Sequence, residues 1–316
     1  MGRLLKLFKR FGGTALLIKY FRIGFLCKAI LQVLITGFSN KGLEILRLSA
    51  NKQLYDYLKR KYGKYIENIT IDEQLNHENS NRIWVCWFQG IDKNTPIVIR
   101  RCIQSMVDNL KNKDVILLTD KNYSDYVILP NFILEKYNKG VITKTHLTDL
   151  LRLELLIKYG GVWIDATVLC TGDIPNYIME SDLFLFQNLK PGRDGDAVAL
   201  SSWFIAAKSN NRVLIATQIL MYEYWKRNNN LIDYFLIHNF LRMSLDRFPD
   251  EEGKIIKCPN STPHILLLDM FKTYDKMKWN TIKQMTPIHK LAYKRSKEDM
   301  EKKNTYFDII INQGNI

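Results

Sequence analysis

His146-Leu-Thr-Asp149-Leu-Leu-Arg152-Leu-Glu-Leu-Leu-Ile-Lys-Tyr-Gly160-Gly161-Val-Trp163-Ile-Asp165-Ala-Thr167 is the stretch that decides the fold of this 316-residue chain. Its first part reads as an apolar helix, its second as a strand that ends in a carboxylate. Tyr159-Gly160-Gly161 stops the helix, because glycine accepts the left-handed backbone conformation in which helices commonly end. On the helix, His146, Asp149 and Arg152 recur at i, i+3 and i+6 and share one ridge. On the strand, the period of two puts Trp163, Asp165 and Thr167 on one face and Val162, Ile164, Ala166 and Val168 on the other. Two acids and a guanidinium are thereby predicted to converge beside a tight turn. Such a set suits a polyhydroxylated, phosphorylated ligand with a divalent cation.

Upstream, Arg82-Ile-Trp-Val-Cys-Trp87-Phe88 is the continuous apolar run of a buried parallel strand, closed by Gln89-Gly90. Thr95-Pro96 has the capping hydroxyl and first-turn proline of a helix start, and the helix is expected to reach about Asn112. Val115-Ile-Leu-Leu118 is the next strand, ending at Thr119-Asp120. A β-α-β order implies a parallel pair with a right-handed crossover, and ligands gather at the carboxyl ends of such strands. Trp87 to Gly90 and Thr119 are therefore expected near the same crevice as Asp165. Downstream the pattern predicts strands over 182–186 and 202–206 and helices over 212–227 and 231–248. The glycine-rich run from Lys190 to Asp196 between the two strands reads either as a surface turn or as a lid. Internal repeats and low-complexity tracts are absent from the sequence.

The charge is placed unevenly. Residues 1–64 hold 14 Lys and Arg against Glu44 and Asp56, a net of +12, while residues 65–316 hold 32 basic and 30 acidic groups, a net of +2. The sequence divides into a helical, basic, amphipathic arm over 1–72 and a catalytic-sized body over 82–316, joined by a polar linker from Asp72 to Asn81. Lys19, Arg22 and Lys28 interrupt the arm's apolar run, which is too short to span a bilayer. Basic amphipathic helices of this composition lie on anionic membrane surfaces; the other reading is a helix that packs on the body with its lysines solvated. The basic excess is not interleaved with a recognisable nucleic-acid module, so no nucleic-acid partner is expected. Cys27, Cys86, Cys102, Cys170 and Cys258 show no metal or disulfide spacing and fit a reducing compartment.

With these segments in place, the chain resembles the capsular polysaccharide synthesis proteins, bacterial sugar transferases related to family 32 glycosyltransferases and, more distantly, to the glucosylating toxins. The resemblance runs over residues 83–209 and continues through Asp233-Tyr-Phe-Leu-Ile-His238 to Pro287-Ile-His289-Lys290. It implies an α/β, GT-A-like fold: a nucleotide-sugar-binding β/α/β sheet between the basic helical arm and C-terminal helices. It implies that Trp87, with Gln89 and Thr119 nearby, receives the nucleotide base, and that Asp149 and Arg152 contact donor-sugar hydroxyls. Asp165-Ala166-Thr167 matches the metal-linked Asp-x-Asp motif, with Gly161 at its start, His289 the candidate to complete the metal or diphosphate site, and Lys290 beside it counted among the nucleotide- or sugar-binding residues. Retention of anomeric configuration is implied as well.

One departure matters. The last acid of Asp-x-Asp is here Thr167, and a neutral hydroxyl is a poorer ligand for a hard cation than a carboxylate. Manganese or magnesium is expected nonetheless, held by Asp165, Thr167 and His289, where it would neutralise a departing diphosphate. Each residue also has a plainer reading. Asp149 and Arg152 could form an i, i+3 ion pair, Asp165 could cap a turn, and Trp87, His146, His238, His264 and His289 could belong to the core. The expected activity is transfer from a nucleotide sugar, uridine diphosphate-linked by resemblance, to a growing capsular or lipopolysaccharide glycan. A lipid-linked acceptor on the inner membrane face would account for the basic arm of a cytoplasmic, peripheral protein. The alternative is a non-catalytic, membrane-associated sugar or nucleotide binder with a degenerate metal motif.

Overall fold

The computed structural model describes residues 13–71, 78–189 and 200–315. Most of the predicted linker, the glycine-rich run at 190–196 and the first basic cluster of the arm lie outside the described residues. Among the described residues the arm forms α1 (Gly13–Arg22), α2 (Leu26–Thr36) and α3 (Asn40–Tyr62), followed by one helical turn at Lys64–Glu67. Gly24 and Gly37 break what the apolar pattern suggested was continuous helix, with φ of 70° and 68°. The Ser39 hydroxyl then caps α3 by accepting from the Gly42 amide at 3.1 Å, as an N-cap serine does.

The body begins with β1 (Arg82–Cys86), α4 (Ile97–Asn109) and β2 (Asp114–Leu118), a β-α-β unit whose strands pair in parallel. Pro96 precedes the first turn of α4, while the Thr95 hydroxyl accepts from Asp92 N in the turn before it, so the threonine stabilises the loop rather than the helix. α5 (Lys144–Tyr159) leads through Gly160 into β3 (Gly161–Asp165). After β4 (Val168–Cys170), β5 (Leu183–Gln187) and β6 (Leu200–Ala207) come α6 (Arg212–Arg227), α7 (Leu236–Arg247) and β7 (Ile288–Lys290). The main sheet has the order β2-β1-β3-β6-β5, with β1, β2 and β3 parallel and β6 antiparallel to both its neighbours. β4 and β7 form a separate antiparallel pair.

Alternation along β3 sorts its residues into two cores. Trp163 joins Trp84 and the leucines of α5 on one face, and Val162 and Ile164 join Ile83, Val85 and Phe204 on the other. α5 is buried on nearly all sides, which explains why its leucines do not keep to one stripe. The arm belongs to the first of these cores: Leu43, Leu46, Ala50, Leu54, Leu58 and Tyr62 recur every three or four residues on α3 and are buried. The Tyr62 ring lies 5.7 Å from Tyr224 of α6 and 5.8 Å from Phe240 of α7. The predicted helix from 231 starts instead at Leu236, because the Asp233 carboxylate accepts from Phe235 N at 2.7 Å and folds residues 233–235 into a turn.

The double glycine is a steric requirement. A Cβ on Gly161, where φ is 93°, would stand 2.4 Å from the Arg82 carbonyl oxygen, and one on Gly160 would stand 2.9 Å from the backbones of Glu78 and Ser209. Both neighbours are main chain and cannot move aside, so only glycine lets β3 enter beside β1.

Candidate active site

Asp165 ends β3 at the carboxyl edge of the parallel strands, next to Cys86 at the end of β1. That edge opens into a cavity of about 450 Å³. The antiparallel register of β3 with β6 pairs Ile164 with Phe204, which brings the preceding Ser202 and Trp203 beside Asp165. The floor comes from α5, whose predicted ridge is present: His146 Nδ1 lies 3.2 Å from Asp149 Oδ2, and Asp149 Oδ1 lies 3.2 Å from Arg152 Nη2.

Arg152 is the hub. Its guanidinium donates to the Ser202 carbonyl, lies 3.6 Å from Asp165 Oδ1 and sits 4.9 Å above the Trp163 ring. Asp165 Oδ1 also accepts from Trp163 Nε1 at 3.1 Å. Asp165 Oδ2 accepts from Lys290 Nζ at 2.7 Å, and the same ammonium donates to Thr167 Oγ1 at 2.7 Å. Burial pushes the Asp165 carboxyl up, but Lys290 and Arg152 outweigh it and hold the group below its ordinary value. The carboxylate is therefore ionised at neutral pH.

Several expected residues meet here and others do not. Trp87, Gln89, Asp149, Arg152, Asp165, Thr167 and Lys290 all line the cavity. Thr167 reaches it from the β3–β4 turn rather than from the strand face, because β3 stops at Asp165. Thr119 is not among the lining residues; its hydroxyl and amide bond the Asn122 side chain and close the turn after β2. Gly161 lies at the amino end of β3, four residues from Asp165 and against Arg82, and does not reach the cavity.

His289 is the clearest correction. β7 pairs with β4 so that Lys290 stands opposite Val168 and His289 opposite Leu169. Strand alternation then sends Lys290 into the cavity and His289 to the opposite face. There His289 is fully buried, with Nε2 3.0 Å from Thr171 Oγ1 and its ring 5.3 Å from Trp279. Burial and the nearby Lys283 push its pKa down to about 3, so it is neutral at pH 7.

The sequence reading missed the rest of the wall. Trp203 stacks on Phe186 with ring centroids 4.8 Å apart, and the Lys290 ammonium lies 5.8 Å over its indole. Tyr293 meets Trp87 edge-on at 5.5 Å. Tyr234 and Phe235 are 60% and 41% exposed at the cavity mouth. His238 Nε2 lies 3.3 Å from Ser202 Oγ, and burial lowers its pKa to about 4. Trp203 and Ser202 carried a signal, since they sit on the strand that follows the carboxylate, but Tyr293 had none. The cavity thus joins aromatic walls to a buried, charged floor, a combination that stacks planar or sugar rings and grips anionic or hydroxylated groups.

The described residues do not form a ligand set for a resident divalent ion. Among the described residues, no three His, Cys, Asp or Glu side chains come together as a metal site. Asp165 is the one carboxylate of the expected set, Thr167 is neutral, His289 faces away, and a lysine ammonium bonds both remaining donors. A hard cation of this kind takes several oxygen ligands, carboxylates first.

The family model described as capsular polysaccharide synthesis protein matches residues 38–310. No curated protein matches the chain. Among solved structures, the PaToxG glycosyltransferase is similar at 13% identity and a TM-score of 0.37, covering 85% of this chain and 98% of its own.

Proposed function

Because the chain belongs to the capsular polysaccharide synthesis protein family, we propose that it is a retaining glycosyltransferase with a GT-A-like body. It moves a sugar from a nucleotide-sugar donor to a lipid-linked surface glycan of a bacterium. The observation that carries this reading is the ionised Asp165, held between Lys290 and Arg152 in the aromatic-walled cavity at the carboxyl edge of the sheet. The aromatic wall offers faces to base and sugar, the two cations face the diphosphate, and Asp149 and Asp165 accept from sugar hydroxyls. Incubating the full chain with uridine, guanosine, cytidine, adenosine and thymidine diphosphate sugars should release the nucleoside diphosphate from one of them. NMR of the product should show the donor's anomeric configuration. Binding without turnover, across all donors and with a lipid-linked acceptor supplied, would instead favour a non-catalytic binder.

The arm supports a membrane-bound acceptor. No described helix is long and apolar enough to cross a bilayer, yet α1 and α2 turn Phe21, Leu34 and Ile35 outward at 76%, 77% and 76% exposure. Not all of the arm's cations stay free: Lys19 bonds Asp233, and Arg22 Nη1 donates to Asn230 at 3.1 Å, so both anchor α1 to the body. Asp233 begins the turn that carries Tyr234 and Phe235 to the cavity mouth. A membrane seated on α1 and α2 therefore lies next to the entrance. Replacing Phe21, Leu34 and Ile35 together by serine should cut partition onto anionic phospholipid vesicles by ~10-fold or more in a flotation assay, since each buried apolar side chain contributes about 1.5–3 kcal/mol. Unchanged flotation would remove the membrane from this account.

A further inference from the structure

We propose, on the strength of the glycosyltransferase reading, that the Lys290 ammonium does in this site what a divalent cation would do, so that donor binding and sugar transfer need no metal. Lys290 is anchored at the positions where a cation was expected: its Nζ lies 2.7 Å from Asp165 Oδ2 and 2.7 Å from Thr167 Oγ1. Its side chain is only 16% exposed, so it is not a solvated surface lysine meeting an acid by chance.

The charges point the same way. Among the described residues, the charged side chains lining the cavity are Lys144, Arg152 and Lys290 against Asp149 and Asp165, with His238 neutral at pH 7. That is three cations against two anions, and a divalent ion would enter within hydrogen-bond reach of a like charge. A diphosphate meets two carboxylates there but is favoured by the excess of cations among the described lining residues. An ammonium has three N–H donors, and Asp165 and Thr167 take two, which leaves one for a phosphate oxygen. The pairing with β4 fixes the lysine backbone, so the charge is positioned before the ligand arrives.

In the transfer step the bond between the anomeric carbon and the β-phosphate oxygen breaks, and its electron pair leaves with the nucleoside diphosphate. The acceptor hydroxyl oxygen forms the new bond to the anomeric carbon on the same face, and its proton passes to the departing phosphate. Lys290 keeps its proton throughout and supplies charge and one hydrogen bond to the leaving oxygens. Arg152, 3.6 Å from the other oxygen of Asp165, adds the second positive charge.

Calorimetric titration of the full chain with UDP, GDP, ADP, CDP and dTDP, each in excess chelator and again with manganese, tests this. At least one diphosphate should bind in chelator, with an affinity that manganese changes by no more than about twofold, and Lys290→Gln should weaken that binding by ~10-fold or more because a charge-assisted contact is lost. Manganese should not restore it. Lys290→Arg keeps the charge and should retain most of the affinity, and equal melting temperatures for the three proteins guard against a folding defect. Binding that appears only with manganese, or a glutamine variant that binds like the parent, overturns the proposal and leaves the transferase reading standing. If no diphosphate binds under either condition, both fall.

Discussion

Asp165→Asn should lower the rate of sugar transfer by ~10²–10³-fold, the scale on which loss of a preorganised charged group is felt in a water-poor site, while the protein stays folded. Asparagine keeps the size and one acceptor of the side chain, so Trp163 Nε1 retains its partner. What disappears is the negative charge that holds Lys290 and Arg152 on either side of it. Both cations then lose their common anchor, and Lys290 is left with the Thr167 hydroxyl. Nucleotide release from the donor, followed beside a thermal melt of the same sample, checks the expectation. Parent-level turnover in the variant would show that chemistry happens elsewhere. The direction of any pH effect follows from the same contacts. The Asp165 carboxyl is held below its ordinary value, so its contribution to stability is present above the unfolded value near 3.8 and is lost as pH falls through the folded one.

The part of this site that could be read from the sequence is the part fixed by local periodicity. The ridge of His146, Asp149 and Arg152 follows from 3.6 residues per turn, and the sorting of Trp163 from Val162 and Ile164 follows from the period of two. The double glycine and the β-α-β order then place Asp165 at the ligand-binding edge. Periodicity fails where the chain turns. β3 ends two residues too soon for Thr167 to share the strand face, and nothing within Ala166-Thr167 announces a turn. His289 and Lys290 show the same limit, because which of two adjacent residues faces a cavity depends on register with β4, a partner about 120 residues away in the chain. An imidazole next to an ammonium looks like the metal ligand until that register is known. The arm's lysines mislead for a related reason: an amphipathic pattern cannot tell a cation facing lipid headgroups from one bonded to Asp233.

Arg152→Met should destabilise the fold by about 3–5 kcal/mol, the cost of leaving a buried charge without its partner. In a chain of this length that lowers the melting temperature by roughly 5–8 °C. Methionine matches much of the aliphatic volume, so the loss reports electrostatics and hydrogen bonding more than packing. Asp149, 5% exposed, would keep only His146 within reach among the described residues, and the Ser202 carbonyl on β6 would lose the guanidinium donor. Trp163 would lose the cation 4.9 Å above its ring. Lysine should not restore stability, because one ammonium cannot reach Asp149, Asp165 and the Ser202 carbonyl together as a planar fork does. The double variant Asp149→Asn/Arg152→Met separates the terms, since it removes the orphaned carboxylate and should recover part of the loss. Melts of the parent, Asp149→Asn, Arg152→Met and the double variant complete the cycle. A methionine variant as stable as the parent would mean that Asp149 takes up a proton or finds water at little cost. Arg152 would then serve the ligand alone, with no part in holding α5 to the end of β3.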